Sequence, residues 1–314
     1  MGRAREGDRV SRVVRLAAPA KVNLTLEVLG ERDDGYHELR SVFATLDLAD
    51  RVRVAAAKRL DVRVRPDPLD PGAPAGTELT ARAVHALAAA TGGPAAAQVR
   101  VAKRIPVAAG LGGGSSDAGA ALRGLAQVWR VGADLIAVGA GLGSDVPFFA
   151  SGARFALVEG RGERVLALPA PAAPIWIVLV RVPGHVPTAD VFRALRTDEW
   201  SDGLASAALA RAFEDGSATA DTVRAHLRND LLDAACRVSR DVGEARLLAG
   251  SKGVTLALSG SGPSLFCVAD SRADALRLSR ILRGQGLAAR PHELGVSGAR
   301  TVRPSAVPLT SMGG

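Results

Sequence analysis

The chain has 314 residues, which is enough for one large domain or two ordinary ones that each bury a core. Its hydrophobic fraction of 47% is typical of globular proteins, and no apolar run reaches the roughly 18 to 20 residues of a membrane span. The net charge of +8 comes from 40 basic against 32 acidic residues, and the arginines are scattered rather than clustered, which argues against a nucleic-acid partner.

The cysteines and the N-terminal sequence bear on the cellular compartment. The two cysteines, Cys236 and Cys267, lie in apolar segments without metal-ligand spacing, which suits a reducing environment. The basic N-terminus leads into no apolar segment, so no export signal is predicted. We therefore expect a cytoplasmic protein without a membrane or nucleic-acid partner, and a monomer or weak homodimer.

The first half of the chain predicts antiparallel strands followed by alternating helices and strands. Apolar residues alternate over residues 21–30, as in a half-buried strand, whereas residues 115–130 repeat them at helical spacing. By the same criteria we predict strands over residues 51–55, 62–65 and 97–103, a helix over residues 79–90, and a hairpin over residues 154–168 that turns at 160–162.

The Pro/Ala-rich stretch 169–174 marks the predicted domain boundary. Beyond it we predict a strand over residues 175–182, several helices between 188 and 248, a strand-turn-strand around 258–266, a helix from Ala273 and a last strand near Ala288. The sequence thus predicts an α+β protein with an N-terminal domain over 13–168, a C-terminal domain over 169–299 and frayed tails at 1–12 and 300–314.

The segment KRIPVAAGLGGGSSDAGAAL (103–122) has the character of a phosphate-binding loop. A predicted strand runs into four glycines within five positions and then directly into a helix. Glycine lets backbone N–H groups approach a ligand closely, and the helix N-terminus adds unpaired N–H groups and a positive dipole end. The loop is neither a Walker A loop nor a dinucleotide fingerprint. A flexible turn with a serine cap is the alternative, which the glycine density disfavours.

Two further segments carry a weaker signal for the same chemistry. GLGSDVPFF (141–149) puts Asp145 in a turn after an apolar helix, where a carboxylate is usually only a cap or an Asx turn. LSGSGPSLF (258–266) puts a second glycine-rich turn between apolar strands, as a tight hairpin or as a second cradle of backbone N–H groups. Taken singly, neither segment decides between these alternatives.

Together, APAKVNLTLEV (18–28), PVAAGLGGGSSDAGAAL (106–122), GSDVPFF (143–149) and LSGSGPSLF (258–266) resemble the three motifs and the active-site aspartate of the GHMP kinase superfamily. Residues 30–50 and RNDL (228–231) are similar to segments found in one branch of this superfamily. The kinases of that branch phosphorylate the 2-hydroxyl of a cytidine-diphosphate-linked methylerythritol in non-mevalonate isoprenoid synthesis. The resemblance spans about residues 15–295. It implies a two-domain GHMP kinase fold, with an S5-like N-terminal domain and an α/β C-terminal domain, and it implies ATP and Mg²⁺ as cosubstrates.

The resemblance also implies roles for individual residues. Lys21 and Asp145 are the implied catalytic pair, and Asn23 and Gly262 are implied substrate contacts. Mg²⁺ is expected to be held by phosphates and water, with no assigned protein ligand. Glu78 departs from the family, which usually has Asn there. The implied ATP-binding residues are Lys103, Pro106, Val107, Ala108, Ala109, Gly110, Leu111, Gly112, Gly113, Gly114, Ser115 and Ser116.

By the same resemblance, Tyr36, His37 and Phe192 hold the cytosine, and the residue chemistry agrees. Tyr36 is the only tyrosine of the chain and lies in a glycine-flanked loop, and a tyrosine opposite a phenylalanine can sandwich a pyrimidine. His37 can read the polar edge of the base. The alternatives are a loop histidine with local partners, and an ordinary apolar position on a short helix for Phe192.

Three other functions compete with this interpretation. A kinase of the same superfamily for homoserine, mevalonate or a sugar would share the glycine loop but give no reason for the Tyr36-His37 pair. A nucleic-acid-binding protein would use the arginines and the S5-like domain. An inactive scaffold is disfavoured because Lys21 and Asp145 are both present.

Overall fold

We describe the chain from a computed structural model, which covers residues 13–66 and 77–296. The predicted tails at 1–12 and 300–314 lie outside these ranges. Helices pack on two β-sheets, which confirms the predicted α+β class. The strands are β1 (Val13–Asn23), β2 (Thr25–Glu31), β3 (His37–Ala56), β4 (Asp61–Arg65), β5 (Ala97–Ala102), β6 (Phe155–Gly160), β7 (Arg164–Leu168), β8 (Trp176–Arg181), β9 (Arg228–Asn229), β10 (Ala257–Leu258), β11 (Leu265–Ala269) and β12 (Ala288–Glu293).

Most helices lie at the predicted places, including the one that starts inside the glycine run, but the helix over Val146–Ser151 was predicted only as part of a turn. Within the described residues no helix is both long and apolar enough to cross a membrane. The helices are α1 (Thr77–Thr91), α2 (Gly113–Trp129), α3 (Leu135–Ala140), α4 (Val146–Ser151), α5 (Thr188–Ala194), α6 (Leu204–Glu214), α7 (Ala220–His226), α8 (Leu232–Val238), α9 (Arg240–Gly250) and α10 (Arg272–Gly284), with a 3₁₀ helix at Thr197–Glu199.

The first sheet is organised around the long strand β3. Its eight strands are β1 to β7 and the short β9, and β3 pairs with β1, β2, β5 and β6. The sequence predicted a strand only over residues 51–55 in this region, because the segment before it has no regular alternation. Pairing with strands on both sides extends β3 back to His37. The second sheet has the order β10-β11-β8-β12 and comes entirely from residues after the Pro/Ala stretch.

The predicted strand over residues 21–30 is two strands that meet at Leu24. The Leu24 N–H donates to the Val42 carbonyl of β3, and β1 has a register shift between Pro19 and Lys21. Proline has no N–H for the ladder, which accounts for an irregularity at this place. The alternation of apolar and polar residues predicted a strand with one face in solvent, but both faces are buried. The residues of the buried polar face are Lys21, Asn23, Thr25 and Glu27.

This buried polar face is covered by two different elements. Toward β2, helix α6 lies over the strand, and the Ser206 N–H donates to Glu27 Oε2 at 2.7 Å. Toward β1, the glycine loop lies over the strand, and the Lys21 N–H donates to the Leu111 carbonyl at 3.0 Å. The polar side chains of β1 therefore face an internal site rather than solvent.

A hydrophobic cluster joins the two sheets. Leu24 and Phe155 of the first sheet belong to the same buried cluster as Ile177 and Phe266 of the second. Phe213 of α6 belongs to the same cluster, and its ring centroid lies 4.8 Å from that of Phe155. The two sheets are thus packed on one another through apolar side chains, and this packing fixes the relative position of the loops that they carry.

Candidate active site

The glycine loop is pressed against the second glycine-rich turn. The Ser259 hydroxyl donates to the Gly110 carbonyl at 2.9 Å, and the Ser264 N–H donates to the Ala109 carbonyl at 3.3 Å. Gly110 has a φ of +74°, and a Cβ there would lie 2.3 Å from the Ser259 carbonyl oxygen. The segment LSGSGPSLF is a hairpin in which Leu258 pairs with Leu265, and its turn also supports the loop, so the two segments form one structure.

A cavity of 240 Å³ lies beside the loop and the first turn of α2. The residue before the helix, Gly112, has a left-handed φ of +68° and makes no side-chain capping bond, so the first-turn N–H groups are not capped by a side chain. A Cβ on Gly114 would meet nothing within 4 Å. The cavity is lined by Leu79, Lys103, Pro106, Val107, Ala108, Ala109, Gly110, Gly112, Gly113, Gly114, Ser115 and Asp117. Of the predicted ATP-binding residues, Leu111 and Ser116 are buried behind this wall.

A buried ion cluster holds the base of the loop. Lys103 Nζ contacts the Asp50 carboxylate and lies 2.6 Å from Asp117 Oδ2. Asp50 Oδ1 also accepts hydrogen bonds from the backbone N–H groups of Arg104 and Ile105. Sequence reasoning predicted Lys103 but missed both carboxylates. The available signal was Asp117, an aspartate that follows the glycines and Ser115-Ser116 directly and that was not paired with the lysine.

Burial dominates the protonation of this cluster. Burial raises the pKa of Asp117 to about 7, although the Lys103 charge acts in the opposite direction. Burial also disfavours the charged form of Lys103, but the two carboxylates together raise the pKa of Lys103 above its ordinary value. Two buried carboxylates share one ammonium group here, so a proton is retained on Asp117 more readily than on a solvated aspartate.

A second, larger cavity contains the predicted catalytic pair. Its volume is 840 Å³. Lys21 Nζ lies 3.5 Å from Asp145 Oδ2, donates to Asn23 Oδ1 at 2.7 Å, and lies 4.6 Å from the centroid of the Phe43 ring. Asp145 precedes α4 but makes no capping bond with its side chain, so its carboxylate is not used as a helix cap. The structure therefore brings Lys21, Asn23 and Asp145 together at one place.

Asn23 is fixed by partners on both sides. Its Oδ1 also accepts from the Gly260 N–H at 2.8 Å, and its Nδ2 donates to the Ser41 hydroxyl at 2.9 Å. Gly260 and Ser261 of the second glycine turn line the large cavity. Gly262, the predicted substrate contact, has a φ of +89°, and its carbonyl faces Gly110. A substrate contact at Gly262 stays a prediction.

The far end of the large cavity is aromatic. The rings of His37 and Phe192 lie 4.8 Å apart at 31°, and Trp200 meets His37 edge-on at 6.2 Å. Tyr36 is 55% exposed, with the Arg161 guanidinium 4.9 Å from its ring centroid. All five side chains line the cavity. The structure thus brings the predicted residues Tyr36, His37 and Phe192 to one end of the cavity. The ring that lies against Phe192 is that of His37. Trp200 and Arg161 were missed, because nothing local distinguishes either residue.

The segment RNDL supports the site from behind. Asn229 Nδ2 donates to the carbonyls of Leu258 and Gly260, each at 2.9 Å, and Asn229 Oδ1 accepts from the Leu231 N–H. Asp230 Oδ2 accepts from the Val28 N–H at 2.8 Å, which ties the segment to β2. The asparagine therefore holds the turn whose Gly260 N–H in turn holds Asn23.

The two cavities meet at the glycine loop. Gly110, Gly112 and Ser115 line both of them. Lys21 lies at this junction, since a Cβ on Gly112 would be 3.2 Å from Lys21 Cγ. A ligand with phosphates over the start of α2 and a second ligand beside Asp145 would therefore approach each other across these three residues.

Comparison with known proteins agrees with this arrangement. Residues 78–153 match the family model of the GHMP kinases N terminal domain. The chain is 40% identical to the 4-diphosphocytidyl-2-C-methyl-D-erythritol kinase of Brevibacillus brevis over 86% of this chain and 92% of the relative. It is 42% identical to the same-named enzyme of Pelotomaculum thermopropionicum over 81% and 88%.

Solved structures give the same result for the fold. A crystal structure of 4-(cytidine 5'-diphospho)-2C-methyl-D-erythritol kinase matches with a TM-score of 0.72 and 35% identity, over 90% of this chain and 99% of that chain. Homoserine kinase from Cytophaga hutchinsonii matches with a TM-score of 0.67 but only 16% identity, over 94% and 98%. The second likeness concerns the fold alone.

Proposed function

Because the chain belongs to the family of 4-diphosphocytidyl-2-C-methyl-D-erythritol kinases within the GHMP kinases, we propose that it phosphorylates the 2-hydroxyl group of 4-diphosphocytidyl-2-C-methyl-D-erythritol with ATP. This reaction belongs to the non-mevalonate synthesis of isoprenoid precursors. One observation of the molecule carries the proposal: the cavity at the helix N-terminus and the cavity of the Lys21-Asp145 pair share Gly110, Gly112 and Ser115. A kinase needs such a junction for phosphoryl transfer.

The phosphates of ATP bind over the glycine loop in this proposal. The first turn of α2 offers N–H groups that no side chain caps, and the cavity wall beside Gly114 is open. Mg²⁺, held by the phosphates and water, would neutralise part of the phosphate charge. Ser115 lines both cavities, so its hydroxyl lies on the wall that the two ligands would share. Lys103 supports the loop from below through its buried pairs with Asp50 and Asp117.

Lys21 and Asp145 act on the acceptor hydroxyl in this proposal. Asp145 accepts or orients the hydroxyl proton, and Lys21 polarises the acceptor oxygen and offsets negative charge between Asp145 and the phosphates. Two observations support these roles: the hydrogen bond to Asn23 fixes the position of the Lys21 ammonium group, and the Asp145 carboxylate makes no capping bond with α4. Alignment and electrostatics are the main contributions that a protein makes to phosphoryl transfer.

The cytidine end of the acceptor binds among the aromatic side chains. Tyr36 offers an exposed stacking surface, Phe192 packs against the His37 ring, and His37 presents ring nitrogens that can hydrogen-bond the base edge. Trp200 extends this wall. The cavity volume of 840 Å³ lies within the range of roughly 300 to 1,000 Å³ that is typical for sites of small organic ligands.

Phosphate transfer from labelled ATP to a panel of acceptors tests the proposal. We expect transfer to 4-diphosphocytidyl-2-C-methyl-D-erythritol to be much faster than to homoserine, mevalonate or galactose. Methylerythritol alone should barely react, because remote contacts orient the reacting end. The Asp145→Asn variant, purified in parallel, controls for contaminating kinases. Faster phosphorylation of homoserine, mevalonate or galactose would overturn the proposed acceptor and leave only the assignment to the GHMP kinases.

A further inference from the structure

Arg161 is held on the wall of the large cavity by a fixed turn. It lies between β6 and β7, and its backbone N–H donates to Glu163 Oε2 at 2.6 Å. The neighbouring Gly162 packs on the segment before Asp145 so closely that a Cβ there would lie 2.0 Å from the Ser144 carbonyl oxygen. The backbone of the turn is therefore anchored, while the Arg161 side chain reaches into the cavity.

The position of Arg161 is intermediate between the two ends of the cavity. Its guanidinium lies 4.9 Å from the ring centroid of Tyr36, at the aromatic end. Its backbone adjoins Gly162, which touches Ser144, the neighbour of Asp145 at the reacting end. A ligand that extends from the aromatic end to Asp145 would therefore pass Arg161 near its middle.

Arg161 is also the least committed cation of this wall. Among the described residues that line the cavity, permanent positive charge is carried by Lys21, Arg161 and Arg193. Lys21 donates to Asn23 at 2.7 Å, and Arg193 donates to Asp190 at 2.7 Å. Arg161 meets Asp34 only at 3.8 Å, and both side chains are more than a third exposed. Its guanidinium N–H groups therefore remain available to an anionic ligand.

We propose that Arg161 binds the diphosphate group of the acceptor and thereby contributes to its selection. The proposal rests on the proposed function, because that acceptor has a diphosphate between its cytidine and its methylerythritol ends. A guanidinium matches phosphate oxygens with two parallel hydrogen bonds, which an ammonium group cannot do. A charge at the middle of the cavity favours acceptors that are anionic at that point over uncharged molecules of similar length.

Binding of two probes to the full chain separates this role from simple support of Tyr36. The probes are cytidine and CDP, measured by calorimetry without ATP. We expect Arg161→Met to lower the affinity for CDP by about tenfold, the loss typical of a hydrogen bond to a charged group. Its affinity for cytidine should change less than twofold. Arg161→Lys should lie between wild type and Arg161→Met, since it keeps the charge but loses the paired geometry.

Arg164→Met is the matched control. Arg164 lies in the same hairpin, and its replacement removes the same charge, but Arg164 pairs with Glu38 outside the cavity wall. The affinity of Arg164→Met for CDP should stay within twofold of wild type. An equal loss for cytidine and CDP in Arg161→Met would assign Arg161 to support of the Tyr36 ring and overturn the proposal. Unchanged CDP affinity would overturn it too, while wild-type protein that binds neither cytidine nor CDP would overturn the proposed function as well.

Discussion

The ammonium nitrogen of Lys21 lies 3.5 Å from the nearer carboxylate oxygen of Asp145, although the two residues come from different elements, β1 and the N-terminus of α4. The lysine is almost fully buried and the aspartate side chain is 29% exposed. This asymmetry suits a fixed cation beside a carboxylate that an incoming hydroxyl can reach.

Asp145→Asn removes the charge of the carboxylate at little structural cost. We expect turnover to fall by about 10² to 10⁴, because general-base and electrostatic assistance are lost together. Lys21→Ala should lower turnover by a similar factor. Steady-state kinetics with melting temperatures check both variants, and Asp241→Asn, an exposed aspartate in the first turn of α9, is the control. Near-normal turnover in both variants would remove the pair from catalysis.

Gly114→Ala tests the phosphate-binding loop. A methyl group there would project into the open space of the smaller cavity, so we expect ATP affinity to fall by about tenfold, the scale of an overpacked contact. Gly114 is a sharper choice than Gly113, whose Cβ would instead meet Ile105 and Lys103. The fold should not suffer, since alanine is the better helix former.

Gly284→Ala is the control for this variant, because it also adds a methyl group to open space on a helix, away from the cavity. Equilibrium binding of ATP, together with urea unfolding, compares the two variants. Unchanged ATP affinity in Gly114→Ala would show that the loop is only a turn.

The protonation of Asp117 makes the stability of the protein depend on pH. Its folded-state pKa of about 7 lies above the ordinary value of 3.8, so the folded state holds the proton where the unfolded state releases it. Asp117 therefore lowers the free energy of unfolding progressively as pH rises from about 4 to about 7. Relative to Asp117→Asn, wild type should lose stability over that interval in urea unfolding. Parallel profiles of the two proteins would contradict the raised pKa.

Asn229 is expected to act through the second glycine turn. Asn229→Ala leaves the carbonyls of Leu258 and Gly260 without their donor, which should cost about 1 to 3 kcal/mol of stability. Turnover should fall as well, since the Gly260 N–H holds Asn23. Asn229→Asp keeps the acceptor but faces both carbonyls with an oxygen, so it should be at least as harmful as alanine. Wild-type stability in Asn229→Asp would contradict the assigned hydrogen bonds.

Tyr36→Ala tests the cytidine end of the cavity. The side chain is more than half exposed, so its loss should leave stability nearly unchanged. Base stacking on an aromatic ring is worth about 1 to 3 kcal/mol, which predicts a matching rise in KM for the cytidine-linked acceptor. Tyr36→Phe keeps the ring and should behave like wild type. If both variants had the wild-type KM, Tyr36 would have no part in base binding.

Local patterns predicted most elements of the fold and the individual parts of the site. The glycine run, the short hairpin around residues 258–266 and the pair of β6 and β7 each depend on neighbouring residues, and the structure has them where expected. Lys21 and Asp145 were predicted from family motifs, and the structure brings them together.

The parts that could not be predicted are those that depend on distant contacts. The break at Leu24 follows from its bond to Val42, and the burial of Glu27 follows from the packing of α6. Asp50 is separated from Lys103 by 53 positions, and nothing near it in sequence marks it as the partner of a lysine. Such contacts are set by tertiary packing, which a local pattern does not contain.

The bond between Ser259 and Gly110 has a consequence for the timing of activity during synthesis. The two residues are 149 positions apart, and chains are synthesised from the N-terminus. A ribosome therefore exposes the glycine loop long before the turn that backs it, and before the Gly260 N–H that holds Asn23. A nascent chain therefore passes through a period in which the glycine loop is present without the turn that backs it, and the proposed phosphoryl transfer becomes possible only after residues 259–264 have been synthesised.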